Sequence, residues 1–261
     1  MNLTFFSRMY RRGGLAMLLT LIGLAWGNVV QAACIVPDAG GTAALPPGGC
    51  VYTTPSDITG PQDLFITAGL PAGTFVQMDS ALHSFLGAVE VPGGALGGHK
   101  QNYAASLDMP MVGHGGLAGY NRMIVMPLAA VETHSAPRVA GTTPQLFTTD
   151  MFGLQGQLPP GDPDFDLLRI TAGSAFGLPS PGHTTLTRLG PAGSPWAVDS
   201  FFDITYRIDF VGHPGSPFGG MSGSTTGTAR FLVSGVPEPS TCLLLVCGVL
   251  GLALQDRRRR G

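Results

Sequence analysis

The sequence is poor in charged side chains, and those in its central part are mostly acidic. Only 11% of the 261 residues are charged. Between positions 33 and 235, seven lysines and arginines stand against fourteen carboxylates, a net charge of about −7 that the whole-chain value of −2 conceals. Nucleic-acid binding depends on clustered lysine and arginine. The missing basic patch therefore argues against a nucleic-acid partner.

Long helices and recognisable catalytic motifs are also missing. The 39 glycines and 22 prolines approach a quarter of the chain, and both residues are unfavourable inside helices. The segment GMSGS at 220–224 lacks the final glycine of a nucleophile elbow. The segment GHGGLA at 113–118 precedes strand-like sequence, where a dinucleotide site needs a helix. No nucleophile, base and orienting residue can be named, so we expect no enzymatic activity and no cofactor.

Only two cysteines, Cys34 and Cys50, fall in the central part of the chain. They bracket a segment without a periodic apolar pattern. In an oxidising compartment a disulfide between them would stabilise the fold by about 3 kcal/mol. The alternative is a metal-binding pair, for which the neighbouring sequence offers no further ligands.

The N-terminus has the three regions of a secretory signal peptide. Arginines within 8–12 precede the apolar segment 15–26, and small residues occupy the −3 and −1 positions before Ala33. This pattern predicts a signal helix within residues 1–32 and cleavage between Ala32 and Ala33. Gly13 stands where a twin-arginine signal prefers an aromatic residue, and Gln31 where a lipobox has leucine. We therefore expect ordinary export through the translocon, removal of the signal by signal peptidase, and no lipidation.

The C-terminus combines a proline box, an apolar run and an arginine cluster. Proline favours extended backbone at itself and at the residue before it, and the box consists of Val236, Pro237, Glu238 and Pro239. The uncharged residues 241–254 predict a short transmembrane helix of about 21 Å. Clustered arginine stays on the cytoplasmic side of a membrane, and the run is followed by Arg257, Arg258, Arg259 and Arg260.

This ending resembles the PEP-CTERM sorting signal of Gram-negative bacteria, with all three parts in order over residues 236–261. The resemblance covers about a tenth of the chain. It implies recognition by an exosortase, a membrane protease that cuts near the proline box. The alternative is an ordinary C-terminal anchor after a proline-containing linker, which would leave the protein permanently bound to the membrane.

Residues 33–235 are predicted to form an all-β domain, an antiparallel β-sandwich with long loops rich in glycine and proline. About ten strand-like runs alternate with turn signals and no amphipathic helix is indicated. The clearest run, 197–212, points five residues inward: Phe202, Ile204, Tyr206, Ile208 and Phe210. Further runs are 145–158, 164–173, 182–189 and 223–235.

Two other runs have less regular patterns. The run 75–85 predicts one strand with Val76, Met78 and Leu82 on its buried face. The run 121–135 is apolar on both faces as far as Val131, which predicts a strand buried on both sides. Pro127 within it requires a bulge or an unpaired amide position.

The block 180–210 resembles a recurring segment of secreted bacterial proteins that carry the PEP-CTERM signal. The matching residues are Gly182, Thr184, Thr185, Thr187 and the stretch 199–203. The resemblance implies exported β structure and supplies no catalytic residue.

The remaining site candidates are an acidic triplet and scattered aromatic and histidine residues. Asp162, Asp164 and Asp166 alternate, and their oxygens suit calcium, but an EF-hand's later glycine and glutamate are missing, which favours an acidic solvated turn. The six histidines lack HxH or HExxH spacing, which leaves zinc only a site assembled from distant strands. The aromatic candidates are Tyr103, Tyr120, Trp196 and Tyr206. If they are exposed they would form a sugar-stacking platform, whereas the favoured interpretation places them in the buried core.

These patterns together predict a non-enzymatic protein exported across the inner membrane, anchored transiently by its C-terminal helix, and then delivered to the cell surface or outside the cell. The expected partners are the translocon, signal peptidase, an exosortase-type protease, the inner membrane and extracellular polysaccharide. Two alternatives stay open: a secreted carbohydrate-binding or carbohydrate-active module, and an adhesive domain stabilised by calcium.

Overall fold

A computed structural model describes residues 34–55 and 63–235. The predicted all-β class is confirmed, and all strand pairings are antiparallel. The strands are β1 (Cys34–Val36), β2 (Cys50–Thr53), β3 (Leu64–Ile66), β4 (Phe75–Met78), β5 (Ala81–Pro92), β6 (His99–His114), β7 (Asn121–Ser135), β8 (Gln145–Gln157), β9 (Phe165–Ala172), β10 (Pro181–Arg188), β11 (Trp196–Gly212) and β12 (Ser222–Gly235).

The predicted signal helix, the cleavage pair Ala32 and Ala33, the proline box, the transmembrane helix and the arginine cluster all lie outside the described residues. The helical structure within residues 34–55 and 63–235 consists of two short 3₁₀ turns, Gly115–Leu117 and Ser174–Phe176. No helix in these two ranges has the length and apolar character that a membrane crossing needs.

The strand pairings return to their starting point and form a closed circuit. Strands β5, β6, β7 and β8 pair in chain order. The other edge of β8 pairs with β10 and then with β9, and both of these pair with β11. From β11 the circuit continues through β12 and β2 back to β5. The short strands β4 and β3 extend from the far end of β6.

Strand β11 supplies the centre of the core, as its alternation predicts. The five predicted inward residues, from Phe202 to Phe210, have at most 4% of their surface exposed. They pack with buried side chains of β6 and β7, including Leu107, Met109 and Ile124. Burying one such side chain contributes about 1.5–3 kcal/mol, so each of the five residues adds measurably to the hydrophobic stabilisation.

The prediction that β7 is buried on both faces is wrong. Ile124 and Met126 are buried, but Met123, Val125 and Leu128 are 56%, 41% and 69% exposed. The outward face of β7 is apolar without being covered by another layer. The predicted bulge is confirmed at Pro127 and Leu128. Met126 of β7 pairs with Leu107 of β6, and Ala129 of β7 pairs with Ala105 of β6. Two β7 residues therefore stand opposite a single β6 residue between these pairs.

The predicted strand over 75–85 is two strands, although its buried face is correct. Val76, Met78 and Leu82 are all at most 1% exposed. The break follows β4 because the Thr54 hydroxyl donates to Asp79 at 2.8 Å and accepts from the Ser80 amide at 2.9 Å. β4 and β5 then pair with successive parts of β6. β6 itself is absent from the strands that the sequence pattern predicts.

Cys34 and Cys50 form a disulfide that joins β1 to β2. Trp196 is fully buried beside it, together with Val36, Phe147 and Leu186. The Trp196 indole donates to Asp38 at 2.7 Å, which satisfies its only polar group. The disulfide therefore belongs to a second, smaller core at the end of β11.

We expect the two neighbouring β7 residues Ile124 and Val125 to respond differently to truncation. Ile124→Ala leaves a cavity in the core and should lower the free energy of unfolding by about 2–5 kcal/mol. Val125→Ala removes a half-exposed side chain and should change it by less than about 1 kcal/mol. Urea denaturation of both variants measures the difference. Equal losses would mean that β7 is covered on both faces after all.

Candidate binding groove

An open groove of about 550 Å³ crosses the outer face of β5, β6, β7 and β8. Strand register builds it, because directly paired residues point to the same face of a sheet. One row runs from Leu86 through Ala104 and Ala130 to Gln155, and the next from Val89 through Asn102 and Glu132 to Gly153. Small residues form the floor, while the apolar walls are Leu86, Val89, Leu128 and Phe176.

The groove lies where the hydrogen-bond ladder is irregular. β5 shifts register twice, on either side of Leu86, and β7 shifts at its Pro127 bulge. β8 shifts at Phe152, which lies between the residues paired with Glu132 and Thr133. Bulges bend a strand and re-aim its side chains. These irregularities turn an ordinary sheet face into a concave surface.

Gly153 and Gly173 create the space on the β8 side. A Cβ at Gly153 would lie 3.4 Å from the Phe176 ring and 3.9 Å from the Glu132 Cβ, so it would narrow the floor between them. Gly173 has φ = 111° and lies so close to the Phe152 carbonyl that a Cβ would meet its oxygen at 2.5 Å. This close approach seats the Ser174–Phe176 turn on β8, where the Ser174 hydroxyl donates to Asp150 at 2.8 Å.

Glu132 supplies the charge at the polar side of the groove. Its Oε1 atom accepts from Lys100 Nζ at 2.8 Å and from His134 Nε2 at 2.9 Å. His134 Nδ1 accepts from the Ala95 amide at 3.0 Å, so the ring proton is on Nε2. Burial raises the pKa of Glu132, but these hydrogen bonds outweigh it and hold the pKa below its ordinary value of 4.5. The carboxylate is therefore ionised at neutral pH.

Asn102 and Gln155 complete the polar lining. Both side chains are exposed at the groove. Among the side-chain hydrogen bonds of residues 34–55 and 63–235, none involves either amide. Each amide offers two donors and one acceptor oxygen, so the groove presents hydrogen-bonding groups of both kinds beside its apolar walls.

The acidic triplet is held by an arginine that the sequence pattern does not indicate. Arg122 Nη1 donates to Asp162 Oδ1 at 2.8 Å and to Asp164 Oδ2 at 2.6 Å, and Tyr120 donates to Asp164 at 3.1 Å. Asp166 points elsewhere and contacts His213 Nδ1 at 2.7 Å. The structure thus brings two of the three carboxylates together, around a guanidinium group.

The alternative metal and sugar-stacking sites are not assembled within residues 34–55 and 63–235. In the part of the chain that the structure describes, no group of three or more histidine, cysteine, aspartate or glutamate side chains is placed to hold a metal ion. Tyr103, Trp196 and Tyr206 are at most 7% exposed, and Tyr120 packs edge-on against Phe218 at 4.9 Å. The exposed aromatic ring at the groove is Phe176, in a Gly/Pro-rich turn that no periodic pattern marks.

A serine, a histidine and an aspartate do meet on the outer face of β5 and β6. His83 Nδ1 lies 2.8 Å from Ser84 Oγ, and His83 Nε2 lies 3.1 Å from Asp108 Oδ2. Ser84 has φ = 55°, the one non-glycine residue with positive φ in the described ranges. It lies at the first β5 register shift. Motif spacing cannot reveal such a contact, because the bulge brings neighbouring residues to one face.

The chain matches no protein-family model, no curated protein and no solved structure. Its class is therefore stated from its own fold and surface: an antiparallel all-β domain with a mixed apolar and polar groove.

Arg122→Gln should destabilise the protein by about 2 kcal/mol at pH 7, because two poorly exposed carboxylates lose their cation. Burial raises the pKa of Asp162, but Arg122 and two backbone amides lower it below the ordinary 3.8. The stabilisation is therefore present above about pH 4 and lost as pH falls through the lowered pKa. Denaturant titrations at pH 7 and pH 3 should show a difference that shrinks in acid.

Arg207→Gln is the matched control. Arg207 is 46% exposed and lies 3.4 Å from Asp209, so its loss should cost less than about 1 kcal/mol. Equal costs for the two variants would contradict the role of Arg122.

Thermal unfolding with and without calcium tests whether the acidic triplet binds this ion. The melting temperature of a calcium-stabilised domain rises with calcium. The melting temperature stays constant if arginine already neutralises the cluster.

Proposed function

We propose that the chain is an exported protein without catalytic activity of its own, sorted through a PEP-CTERM signal at residues 236–261. The observation that carries the proposal is the ordered succession of proline box, apolar run and arginine cluster, combined with a sequence at the other end that has the pattern of a signal peptide. An exosortase-type protease is its processing partner. The processed product resides at the cell envelope or in the extracellular matrix.

The described domain is compatible with this destination. The Cys34–Cys50 disulfide suits an oxidising compartment rather than the cytosol. The closed, fully antiparallel sheet is proposed to be a flattened sandwich, in which the β5–β8 block faces the block of β9, β11 and β12 across one core.

Absence of catalysis is proposed because the Ser84, His83 and Asp108 contact lacks a catalytic setting. The His83 and Asp108 side chains are 32% and 29% exposed, and Ser84 is on the open face of β5. Acyl transfer depends on preorganised donors in a site from which water is excluded. The positive φ of Ser84 has a structural cause, the β5 bulge.

A second candidate function is binding of extracellular polysaccharide, and the groove favours it. The four aromatic residues that first suggested a sugar platform are buried or packed. The groove provides another concave surface, and its volume falls within the range of about 300–1,000 Å³ that is typical of ligand sites.

Processing of the tail is tested by mass spectrometry of the mature protein from the native host. We expect C-terminal peptides to end near the proline box, without residues 241–261. In cells that lack the protease, the intact tail should persist. An intact tail in both strains would show a permanent anchor instead of a sorting signal.

Ser84 should not react with a fluorophosphonate probe under conditions that fully label a serine esterase. A bulge serine in water lacks the oxyanion stabilisation that makes such nucleophiles reactive. Intact-mass measurement of the full chain detects the adduct, and Ser84→Ala defines the background. Labelling that depends on Ser84 and is lost in Asp108→Asn would contradict the non-catalytic proposal.

A further inference from the structure

We propose that the groove across β5–β8 is a binding site for an uncharged oligosaccharide segment of a polysaccharide. The inference deepens the second proposed function and is independent of how the chain is sorted. It rests on the shape of the groove, the mixture of its lining groups and the sign of its charge.

The lining matches the two kinds of surface that a sugar ring carries. A pyranose has apolar C–H faces and a rim of hydroxyl groups. The Phe176 ring, 43% exposed, and the Leu86 and Leu128 side chains, 54% and 69% exposed, provide apolar contact. Asn102, Gln155 and Glu132 lie on the same surface. Amides donate to and accept from neighbouring hydroxyls, and an ionised carboxylate accepts from them.

The small residues of the floor leave room for a ring against the sheet. Ala104, Ala130 and Gly153 form adjacent parts of two cross-strand rows. Gly153 lies beneath the Phe176 ring, because a Cβ added at Gly153 would be in van der Waals contact with that ring at 3.4 Å. A flat ligand lying on this floor meets the Phe176 side chain on one flank and Leu86 and Val89 on the other.

The charge of the groove selects against anionic chains. Glu132 carries a formal negative charge at the groove, which Lys100 partly offsets from 2.8 Å, and the described lining residues include no lysine, arginine or histidine that would attract an anion. The surrounding domain is also acidic, with a net charge of about −7. Because like charges repel and a negative surface lowers the local concentration of anions, uronic-acid and sulfated polysaccharides are disfavoured.

A purely apolar ligand fits less well. An alkyl chain would cover the Asn102 and Gln155 amides without offering them a hydrogen bond, which opposes its binding. A second copy of the chain would bring another acidic surface against this one. An uncharged sugar chain satisfies the polar groups and covers the apolar walls together.

The test is calorimetric titration of the full chain, in a detergent without a sugar headgroup, with maltohexaose, cellohexaose and mannohexaose. Oligogalacturonate and 1-octanol serve as the anionic probe and the uncharged apolar probe. We expect weak binding of at least one uncharged hexasaccharide, with a Kd on the order of 0.1–1 mM, and no binding of the other two probes.

Two variants locate the site. Gly153→Leu fills the floor and should abolish binding, and Phe176→Ala should weaken it roughly 10-fold. Leu189→Ala is the control, since Leu189 is 54% exposed and does not line the groove. Unchanged melting temperatures for these three variants would show that the fold is intact. A further variant, Gly153→Ala, adds one methyl group and should weaken binding without abolishing it.

Each outcome decides between the proposals. Binding that both groove variants leave unchanged would overturn the groove site and leave polysaccharide binding standing. Preference for oligogalacturonate would overturn the uncharged ligand, and binding of 1-octanol alone would make this an alkyl-chain site. Concentration-dependent dimers that Gly153→Leu disrupts would assign the surface to a second copy. No binding of any hexasaccharide would overturn both polysaccharide proposals while the tail-processing result stands separately.

Discussion

The alternation along β11 is the constraint on which the rest of the fold depends. One edge of β11 pairs with β10 and then β9, and the other with β1 and β12. One face carries five consecutive inward side chains into the core. A shift of one residue would exchange every buried and exposed position, placing Asp203, Arg207 and Asp209 in the core. The register of four neighbouring strands is therefore fixed by this sequence.

The opposite side of the circuit is organised less strictly, and the groove lies there. The ladders of β11 stay regular as far as Val211, whereas β5, β7 and β8 each interrupt theirs in mid-strand. Their inward residues keep the core intact, while their outward residues gain freedom of direction. The outcome is an apolar surface edged by amides and one carboxylate.

Much of the strand pattern follows from local sequence, whereas the groove does not. The inward face of β11, the limits of β7 and the Pro127 bulge are readable because periodicity and proline act within a few residues. The exposure of Val125 is not readable, since an apolar residue on a strand looks the same whether or not another layer covers it. β6 escapes prediction because its buried residues include Ala105, Met109 and Met111 in place of a run of β-branched side chains. The residues that line the groove range from 86 to 176 in the sequence, and Arg122 contacts Asp162 forty positions away. No rule based on motif spacing operates over such long separations in sequence.

The disulfide also determines how mechanical tension would travel through the domain. The last residues of β12 pair with β2, and Gly235 stands opposite Cys50. A pull along the chain at Gly235 would load the four β2 pairs in shear, all at once, rather than peel them apart one by one. Beyond them, Cys50 is bonded covalently to Cys34, whose strand is paired to β11. A domain held by its C-terminal end in flowing water would thus pass the drag through a sulfur cross-link into its most deeply embedded strand.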